Sequence, residues 1–557
     1  MAMRFTGIAA TLWLLVLPAL TAAGEAPAGD WPQWRGPTRD GNAAAGPKLL
    51  DAWPKEGPKL LWKSAPIPGM AEGGAPAGEA KDVGGCGSVA VADGKAFFFA
   101  HCQYARKGVI LAAKDLRDLG WVEGLTEDLA KKVDEAYRSP KRSKLAGADL
   151  DAYIKEFLAT LDPADAKKFA DAVQTSLTTH WEARFSWGLL FRLSKMVDKE
   201  VPTLADWNRQ SGDLLHGHGE HSGEIRSLLS AGSCTFVDMI FCLDTASGHE
   251  LWKKEFPGNP TGPATYAYNA SSTPTISGDR CYVTGSAAVY CLAVKDGAPV
   301  WQAKLAEMSN SSPLVVDGTA YVCTLQGLTA LEAAKGDVRW VRPEVRNHSS
   351  SAVAWTSGGK RYLLCNSYRK GAKISELVCL EPEKGTVLWH VMSTDYESFS
   401  TPALADDMAV VFGKGKLRAY KLSPEKAEKA WESQLVFDER GGSPLVYQGC
   451  VYTVGGGYGN SGAHCHDLKT GEMKWMQKLA HTEAASPIEA DGKIIAVVEG
   501  DPLKTLMFRA TPEKYEELGR AADKADQPNR CASPAAAGGK LFLRLRNAIA
   551  CYDLAAP

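Results

Sequence analysis

Three regularities of the sequence predict an all-β fold, a β-propeller of eight four-stranded blades. Residues 272–301 give the clearest copy of a repeated unit, in which four short apolar runs are separated by turns and the last run ends in tryptophan. The unit returns with fixed internal spacing, and most copies open with Ser or Thr before proline. Successive copies start 39 to 50 residues apart. Four-stranded blades that bury their faces against neighbours around a ring have this period.

The spacing is what separates a true repeat from chance similarity. From a small residue in the third strand, a turn glycine lies six positions on and a tryptophan ten positions on. The copies in this register are Cys242, Gly248 and Trp252; Cys291, Gly297 and Trp301; Ala330, Gly336 and Trp340; Cys379, Gly385 and Trp389; and Cys465, Gly471 and Trp475.

The number of first strands predicts the number of blades. They are marked by Ser88, Pro274, Pro313, Ala352, Pro402, Pro444, Pro487 and Pro534. Seven blades are the alternative, because the fifth unit displaces its Trp431 and the seventh lacks the Gly-to-Trp ending.

The two ends of the chain complete one blade between them. Residues 60–62 read as a tryptophan-ended fourth strand without three strands before it, and residues 533–554 supply three strands without a fourth. Joining them closes the ring and removes the free sheet edges.

The N-terminal region predicts an exported protein. Residues 1–23 read as a signal peptide, with Arg4, a short apolar core and small residues after it. We therefore expect the periplasm or cell exterior of a bacterium, with no transmembrane segment. Residues 24–59 are rich in Gly, Pro and Ala and are expected to be extended.

An insertion of residues 103–234 splits the first blade, so the propeller comprises residues 60–102 and 235–557. Residues 126–138, with Thr126 as N-cap, and residues 148–161 have helical spacing, and residues 164–197 predict a long or broken helix. We expect a helical subdomain, with a linker as the alternative. The insertion lies between strands two and three of the first blade. It is therefore on the face of the propeller that also carries the loops leading into the innermost strands, around the mouth of the channel.

Those loops carry the candidate ligand-binding residues, which are His348, Arg440, Glu483, Arg530, Asn269 and Asn310. If they point inward, the arginines and the histidine can grip a carboxylate or phosphate, because Arg offers paired donors in a fixed plane. The alternative is a solvated network in which they pair with one another.

The insertion ends in a histidine-rich turn, with His216, His218, Glu220 and His221 among glycines. Neutral imidazoles are good ligands for zinc or copper, so the turn is a candidate metal site. A plain surface loop is the alternative, since the pattern matches no established metal motif.

The thirteen cysteines raise the question of disulfides. Five of them, Cys242, Cys291, Cys379, Cys465 and Cys551, occupy the third-strand position that needs a small apolar residue, and we therefore expect most of the cysteines to be buried thiols. The pair to test is Cys102 with Cys234, which would staple the two ends of the insertion.

The repeats over residues 31–102 and 235–557 resemble those of the PQQ-binding-like β-propellers, the superfamily of the quinoprotein alcohol dehydrogenases. The segment WPQWRGPTRDG, residues 31–41, also resembles the opening of many exported bacterial propellers of this type. The resemblance implies the fold directly. It implies function only weakly, because the Gly-to-Trp signature serves blade packing.

Two functions follow from the resemblance. The first is a non-catalytic binding or scaffold module, whose mouth under the insertion takes a protein, a glycan or a small anionic ligand. The second is a PQQ-dependent oxidoreductase acting on alcohols or sugars, with Ca²⁺ beside a quinone whose carboxylates are held by Arg440, Arg530 or Arg35. Many such enzymes have two adjacent cysteines, and this chain has no Cys-Cys pair. We therefore expect the binding module. The net charge of −2 gives no reason to expect nucleic acid as a partner.

Overall fold

The computed structural model describes most of the chain from residue 29 onward. The described residues are 29–69, 83–105, 109–111, 113–178, 185–201, 206, 209, 234–259, 271–305, 309–368, 374–395, 398–413, 415–435, 442–457, 460–479, 485–498, 502–522 and 526–557. Within them, no helix has both the length and the apolar character needed to cross a lipid bilayer.

The predicted eight-bladed β-propeller is confirmed, because eight four-stranded sheets are formed and neighbouring strands are antiparallel. Blades 1 to 4 consist of Ala90–Ala92, Lys95–Ala105, Cys234–Asp244 and Glu250–Pro257; Thr275–Ser277, Arg280–Thr284, Ala288–Ala293 and Pro299–Lys304; Leu314–Val316, Thr319–Thr324, Gly327–Glu332 and Val338–Arg342; and Val353–Ser357, Lys360–Tyr368, Ser375–Leu380 and Val387–Thr394. Blades 5 to 8 consist of Ala403–Ala405, Met408–Gly413, Lys416–Leu422 and Ala427–Gln434; Leu445–Tyr447, Cys450–Gly457, Asn460–Asp467 and Met473–Leu479; Ile488–Ala490, Lys493–Val498, Lys504–Arg509 and Glu517–Ala522; and Ala535–Ala537, Lys540–Arg544, Ile549–Asp553 and, from the N-terminal side, Lys59–Lys63.

Blade 8 joins the two ends of the chain as the sequence predicts. Lys59–Lys63 pairs antiparallel with Ile549–Asp553, and Trp62 lies opposite Cys551. The last blade therefore cannot form until both ends of the chain are in place.

A row of hydroxyl groups links the innermost strands around the channel. At the position that precedes most of the first-strand prolines, the backbone N–H of one blade donates to the hydroxyl of the next blade, at 2.9–3.0 Å. The residues, in ring order, are Ser88, Thr273, Ser312, Ser351, Thr401, Ser443, Ser486 and Ser533. These side chains are buried, so each bond satisfies a backbone donor that water does not reach. We refer to them as the hydroxyl ring.

The tryptophans link the outer parts of the blades. Each indole Nε1–H donates to a backbone carbonyl of the next blade, at 2.8–3.1 Å, from Trp62, Trp252, Trp301, Trp340, Trp389, Trp431 and Trp475. Under five of these indoles, those of Trp62, Trp252, Trp301, Trp340 and Trp431, lies the turn glycine of the next blade, and a Cβ on Gly248 would come within 2.4 Å of Trp62. The six-and-ten spacing therefore records contacts between blades.

The described part of the insertion contains five α-helices with their own apolar core. They are α1 (Ala113–Asp118), α2 (Glu127–Arg138), α3 (Gly147–Ala159), α4 (Pro163–Thr178) and α5 (Trp187–Ser194), with a 3₁₀ turn at Arg142–Lys144 and a short stem formed by Val109–Ile110 and Glu200–Val201. Thr126 caps α2, as predicted, by accepting from the N–H of Leu129. The Asp134 carboxylate of α2 accepts from the first two N–H groups of α5 at 3.0 and 2.9 Å, which ties these two helices together.

Residues 31–43, which we name the N-terminal plug, cross the channel. Trp31 pairs with Val91 of blade 1, and Asn42 pairs with Glu489 of blade 7. The backbone N–H of Asp93, in the turn from strand one to strand two, donates to the Asp30 carboxylate at 3.3 Å. That turn lies on the face opposite the insertion, so the plug and the insertion are at opposite ends of the channel.

We expect Thr401→Val to destabilise the fold by about 1–3 kcal/mol, because valine keeps the shape but leaves the buried N–H of Ser351 without its acceptor. Equilibrium unfolding in urea measures the loss. The control is Thr470→Val in an exposed turn, which should change stability by less than about 0.5 kcal/mol. Equal effects of the two substitutions would contradict a structural role for the hydroxyl ring.

Stability should also fall on mild acidification because of two buried histidines in blade 6. Burial lowers the pKa of His464 to about 3 and that of His466 to about 4. Below about pH 6.5 these histidines are protonated in the unfolded chain but stay neutral in the folded chain. The free energy of unfolding therefore decreases as pH falls through that value.

At pH 5 we expect each of these histidines to cost about 2 kcal/mol relative to pH 7. Urea unfolding at a series of pH values measures this slope, and the double variant His464→Gln, His466→Gln should make it shallower, leaving the contribution of the buried His348. The exposed His390→Gln is the control. A slope unchanged in the double variant would show that other groups cause the acid sensitivity.

Candidate functional site

Two of the predicted mouth residues lie side by side. Asn310 precedes the first strand of blade 3 and His348 precedes that of blade 4, and the N–H of Asn310 donates to the carbonyl of His348 at 2.7 Å. Both residues are partly exposed. The Oδ1 atom of Asn310 is buried and has no hydrogen-bond partner within the described part of the chain.

His348 belongs to a group of three rings, which we name the aromatic cluster. Its imidazole stacks on Phe399, which precedes blade 5, with centroids 5.0 Å apart. Tyr368 meets both rings edge-on, at 5.8 Å from His348 and 6.2 Å from Phe399. His348 and Phe399 are half-buried, so the cluster presents aromatic surface at the mouth.

The loop that carries His348 is held by the side chain of Asn347. Its Oδ1 accepts from the N–H groups of Ser349 and Ser350, both at 3.0 Å. Its Nδ2 donates to the carbonyls of Asn366, at 2.9 Å, and Ser398, at 3.1 Å. Because Ser398 leads into blade 5, this one buried amide fixes His348 relative to Phe399.

The aromatic cluster carries no charge at neutral pH. Burial lowers the pKa of His348 to about 4, so the imidazole is neutral above that pH. His348 therefore offers a ring face and a neutral hydrogen-bonding group, and the predicted cationic contribution to an anion grip is absent at this position.

Arg530 does not join this group. It precedes blade 8, four blades from blade 4 in a ring of eight, and thus lies across the channel from His348. Arg440, Glu483 and Asn269 lie outside the described residues. The structure thus brings Asn310 and His348 together and separates them from Arg530.

The predicted metal and disulfide sites have different outcomes. His216, His218, Glu220 and His221 lie outside the described residues, and the described part of the chain contains no group of three or more His, Cys, Asp or Glu placed to hold a metal ion.

The predicted Cys102–Cys234 disulfide is wrong. Cys102 is a buried free thiol opposite Val237, whereas Cys234 lies opposite Ala105, three positions or about 10 Å further along the strand.

Sequence reasoning missed a buried polar network at the base of the insertion. His101 and Asp238, on the two strands of blade 1 that flank the insertion, are fully buried and share a hydrogen bond of 2.8 Å. The Asp238 carboxylate also accepts from the N–H and hydroxyl of Ser286, both at 2.8 Å, and from the Tyr290 hydroxyl at 2.9 Å. Burial and the Asp238 charge raise the pKa of Tyr290 well above its ordinary value.

This network joins blade 1 to blade 2 below the point where the insertion leaves and returns. One sequence feature could have revealed it, since Asp238 interrupts the otherwise apolar run MIFCL and its upstream neighbours Phe236 and Val237. A charged residue in such a run is buried only when it is paired.

The arginines expected to hold quinone carboxylates do not meet at the mouth. Arg35 lies in the N-terminal plug, at the other end of the channel, where its guanidinium donates to the carbonyls of Asp40 and Pro444. Arg530 is on the far side from the aromatic cluster, and Arg440 is not among the described residues. The described residues therefore do not fit a quinone site.

The closed ring of eight blades, the Ser/Thr-Pro first strands and the Gly-to-Trp contacts define a PQQ-binding-like β-propeller. The chain belongs to the family described as outer membrane protein assembly factor BamB. That family matches residues 237–375 and 371–555, which together are more than half of the chain.

Two curated relatives carry the same description. The protein of Yersinia pestis is 26% identical over 386 residues, which cover 64% of this chain and 89% of that protein. The protein of Moranella endobia (strain PCIT) is 26% identical over 265 residues, which cover 45% of this chain and 65% of that protein. The match thus spans less than two thirds of the Moranella protein.

Solved structures with a similar fold include BamB from Moraxella catarrhalis, with a TM-score of 0.42 and 13% identity over 57% of this chain and 88% of that chain. Quinohemoprotein alcohol dehydrogenase from Comamonas testosteroni has a TM-score of 0.43 and 11% identity over 58% of this chain and 73% of that chain. Likeness at this level concerns fold and says nothing about activity.

We expect Asp238→Asn to cost about 3 kcal/mol, because it removes the charge that His101, Ser286 and Tyr290 surround in a fully buried site. Urea unfolding measures the loss. Ser286→Ala removes one hydroxyl donor and leaves the carboxylate, and should cost about 1 kcal/mol. If Asp238→Asn cost no more than Ser286→Ala, the network would contribute only as separate hydrogen bonds.

Proposed function

We propose that this protein is a non-catalytic binding propeller that holds a segment of another polypeptide at the channel mouth on the insertion side. The aromatic cluster is the observation that carries the proposal. It combines half-buried rings from blades 4 and 5 with a neighbouring amide oxygen, on Asn310, that no described residue satisfies.

A polypeptide suits this combination better than a charged small molecule. Aromatic faces bind apolar side chains or proline, and a peptide that displaces the cover of the buried Asn310 oxygen supplies the N–H that this acceptor lacks. With His348 neutral, the cluster supplies no positive charge to select an anion.

The family supports a protein as the partner. Its description, outer membrane protein assembly factor, names a role in handling other proteins. The signal-peptide pattern of residues 1–23 supports a site of action outside the cytoplasm, which we propose is the bacterial periplasm or cell exterior.

The proposal is tested by selecting peptides from a random display library on the purified full chain. We expect enrichment of sequences with aromatic, aliphatic or proline residues. Phe399→Ala should weaken the selected peptides at least about tenfold, since an aromatic anchor in an interface is worth about 1.4 kcal/mol or more. Asn310→Ala should weaken them by a smaller factor.

The matched control is Leu388→Ala, which removes an exposed apolar side chain from the outer strand of blade 4 and should leave affinity unchanged. The same protein is assayed on a glycan array and, with PQQ and Ca²⁺ added, for dye reduction with alcohols and sugars. Glycan binding that depends on Phe399, or dye reduction above background, would replace the polypeptide proposal with the corresponding alternative.

A further inference from the structure

The N-terminal plug carries two buried arginines that face only neutral acceptors. Arg35 and Arg39 are 1% and 2% exposed. Arg35 donates from Nη2 to the carbonyls of Asp40, at 2.8 Å, and Pro444. Arg39 donates to the carbonyls of Ser312 and Pro313, at 2.9 and 2.6 Å, and to the Gln33 side chain at 3.1 Å.

These contacts supply no counter-charge to either guanidinium. Across the described part of the chain, no carboxylate forms an ion pair with either guanidinium. Asp40 is the acidic group whose charge acts on Arg35, but its Oδ1 accepts from the N–H of Asn42 at 2.9 Å. Burying a charge without a counter-charge is costly, so the site calls for an anion.

Burial and proximity show in the titration of both groups. Burial lowers the pKa of Arg35 to about 10, and burial together with the nearby charge of Arg35 lowers the pKa of Arg39 to about 9. Both guanidiniums are therefore charged at neutral pH and close enough to repel each other. They also lie 5.6 and 6.0 Å from the same Trp34 ring, which places them on one small region of the plug.

Three donors remain unused. Nε and Nη1 of Arg35 and Nε of Arg39 are buried, and no described residue accepts from them. Both arginines also have φ of 61°, a left-handed backbone conformation that side-chain-bearing residues rarely adopt. Such strain is maintained where the surrounding contacts require the side chain in that direction.

We propose that Arg35 and Arg39 bind a small inorganic anion inside the channel and that this anion fixes the N-terminal plug to the ring. Arg35 reaches blade 6 through Pro444, and Arg39 reaches blade 3 through Pro313. An anion held by the unused donors of both arginines cancels their repulsion while they keep these carbonyl contacts. Halide and phosphate share the required charge and acceptor character, and the test distinguishes them.

The first experiment is a thermal-unfolding titration of the full chain in sodium gluconate buffer at constant ionic strength. Gluconate is replaced stepwise by chloride, bromide or phosphate. We expect at least one of them to raise Tm by about 2 °C or more with saturation, as ligand binding to the folded state requires. Arg39→Gln should abolish the rise. The control is Arg509→Gln, an exposed arginine paired with Glu516, which should keep it.

The second experiment uses unaltered protein and does not depend on a variant folding. Crystals grown in gluconate are soaked in bromide, and separately in phosphate, and anomalous or difference density is inspected beside Trp34. Density bonded to Arg35 and Arg39 supports the site and identifies the anion. Ordered water there, together with a Tm response equal in Arg39→Gln and the unaltered protein, overturns the proposal. No peptide is present in either experiment, so neither result depends on peptide binding.

Discussion

The hydroxyl ring is the constraint on which the rest of the structure depends. Each innermost strand has an inner edge on the channel, and the residue at its start would leave a buried N–H without a partner. From blade 1 to blade 8, seven such N–H groups donate to a Ser or Thr on the next blade, and the proline that usually follows has no N–H of its own to satisfy. The start of each of these strands is thus fixed by two features, the hydroxyl that accepts a hydrogen bond and the proline that usually follows it. These contacts hold the blades at the same distance from the channel axis. Equal radius in turn allows five of the tryptophans to meet the turn glycine of the next blade.

This frame positions the groups at both ends of the channel. On the insertion side, the loops leading into the hydroxyl ring carry Asn310, His348 and Phe399, and the amide of Asn347 bridges two of those loops. On the other side, the plug pairs with innermost strands whose places the ring has already set. Both candidate sites therefore rest on the regular part of the fold, although neither belongs to the repeated sequence.

The parts that could be predicted from sequence are those that the repeat encodes. Eight first strands and the split last blade followed from spacing alone, because each Ser-Pro and each Gly-to-Trp pair records a contact made with the next blade. The aromatic cluster could not be predicted from the repeat. Tyr368 ends the second strand of blade 4, and Phe399 lies in the loop before blade 5, so the three rings meet only when the two blades pack together. Arg35 and Arg39 could be read in the sequence, but their burial could not be predicted. It depends on where the N-terminal plug, which is not part of the repeat, crosses the channel. For Cys102 and Cys234, proximity to the insertion suggested a bond that a strand register offset by three residues forbids.

The two ends of the channel differ in charge, and this difference bears on function. The plug holds two cations without counter-charges, whereas the aromatic cluster is neutral and apolar above about pH 4. We therefore propose an anion at the plug and an apolar peptide segment at the aromatic cluster. A quinone cofactor with several carboxylates needs both kinds of contact at one place. Among the described residues, the plug arginines and the aromatic cluster do not form one site.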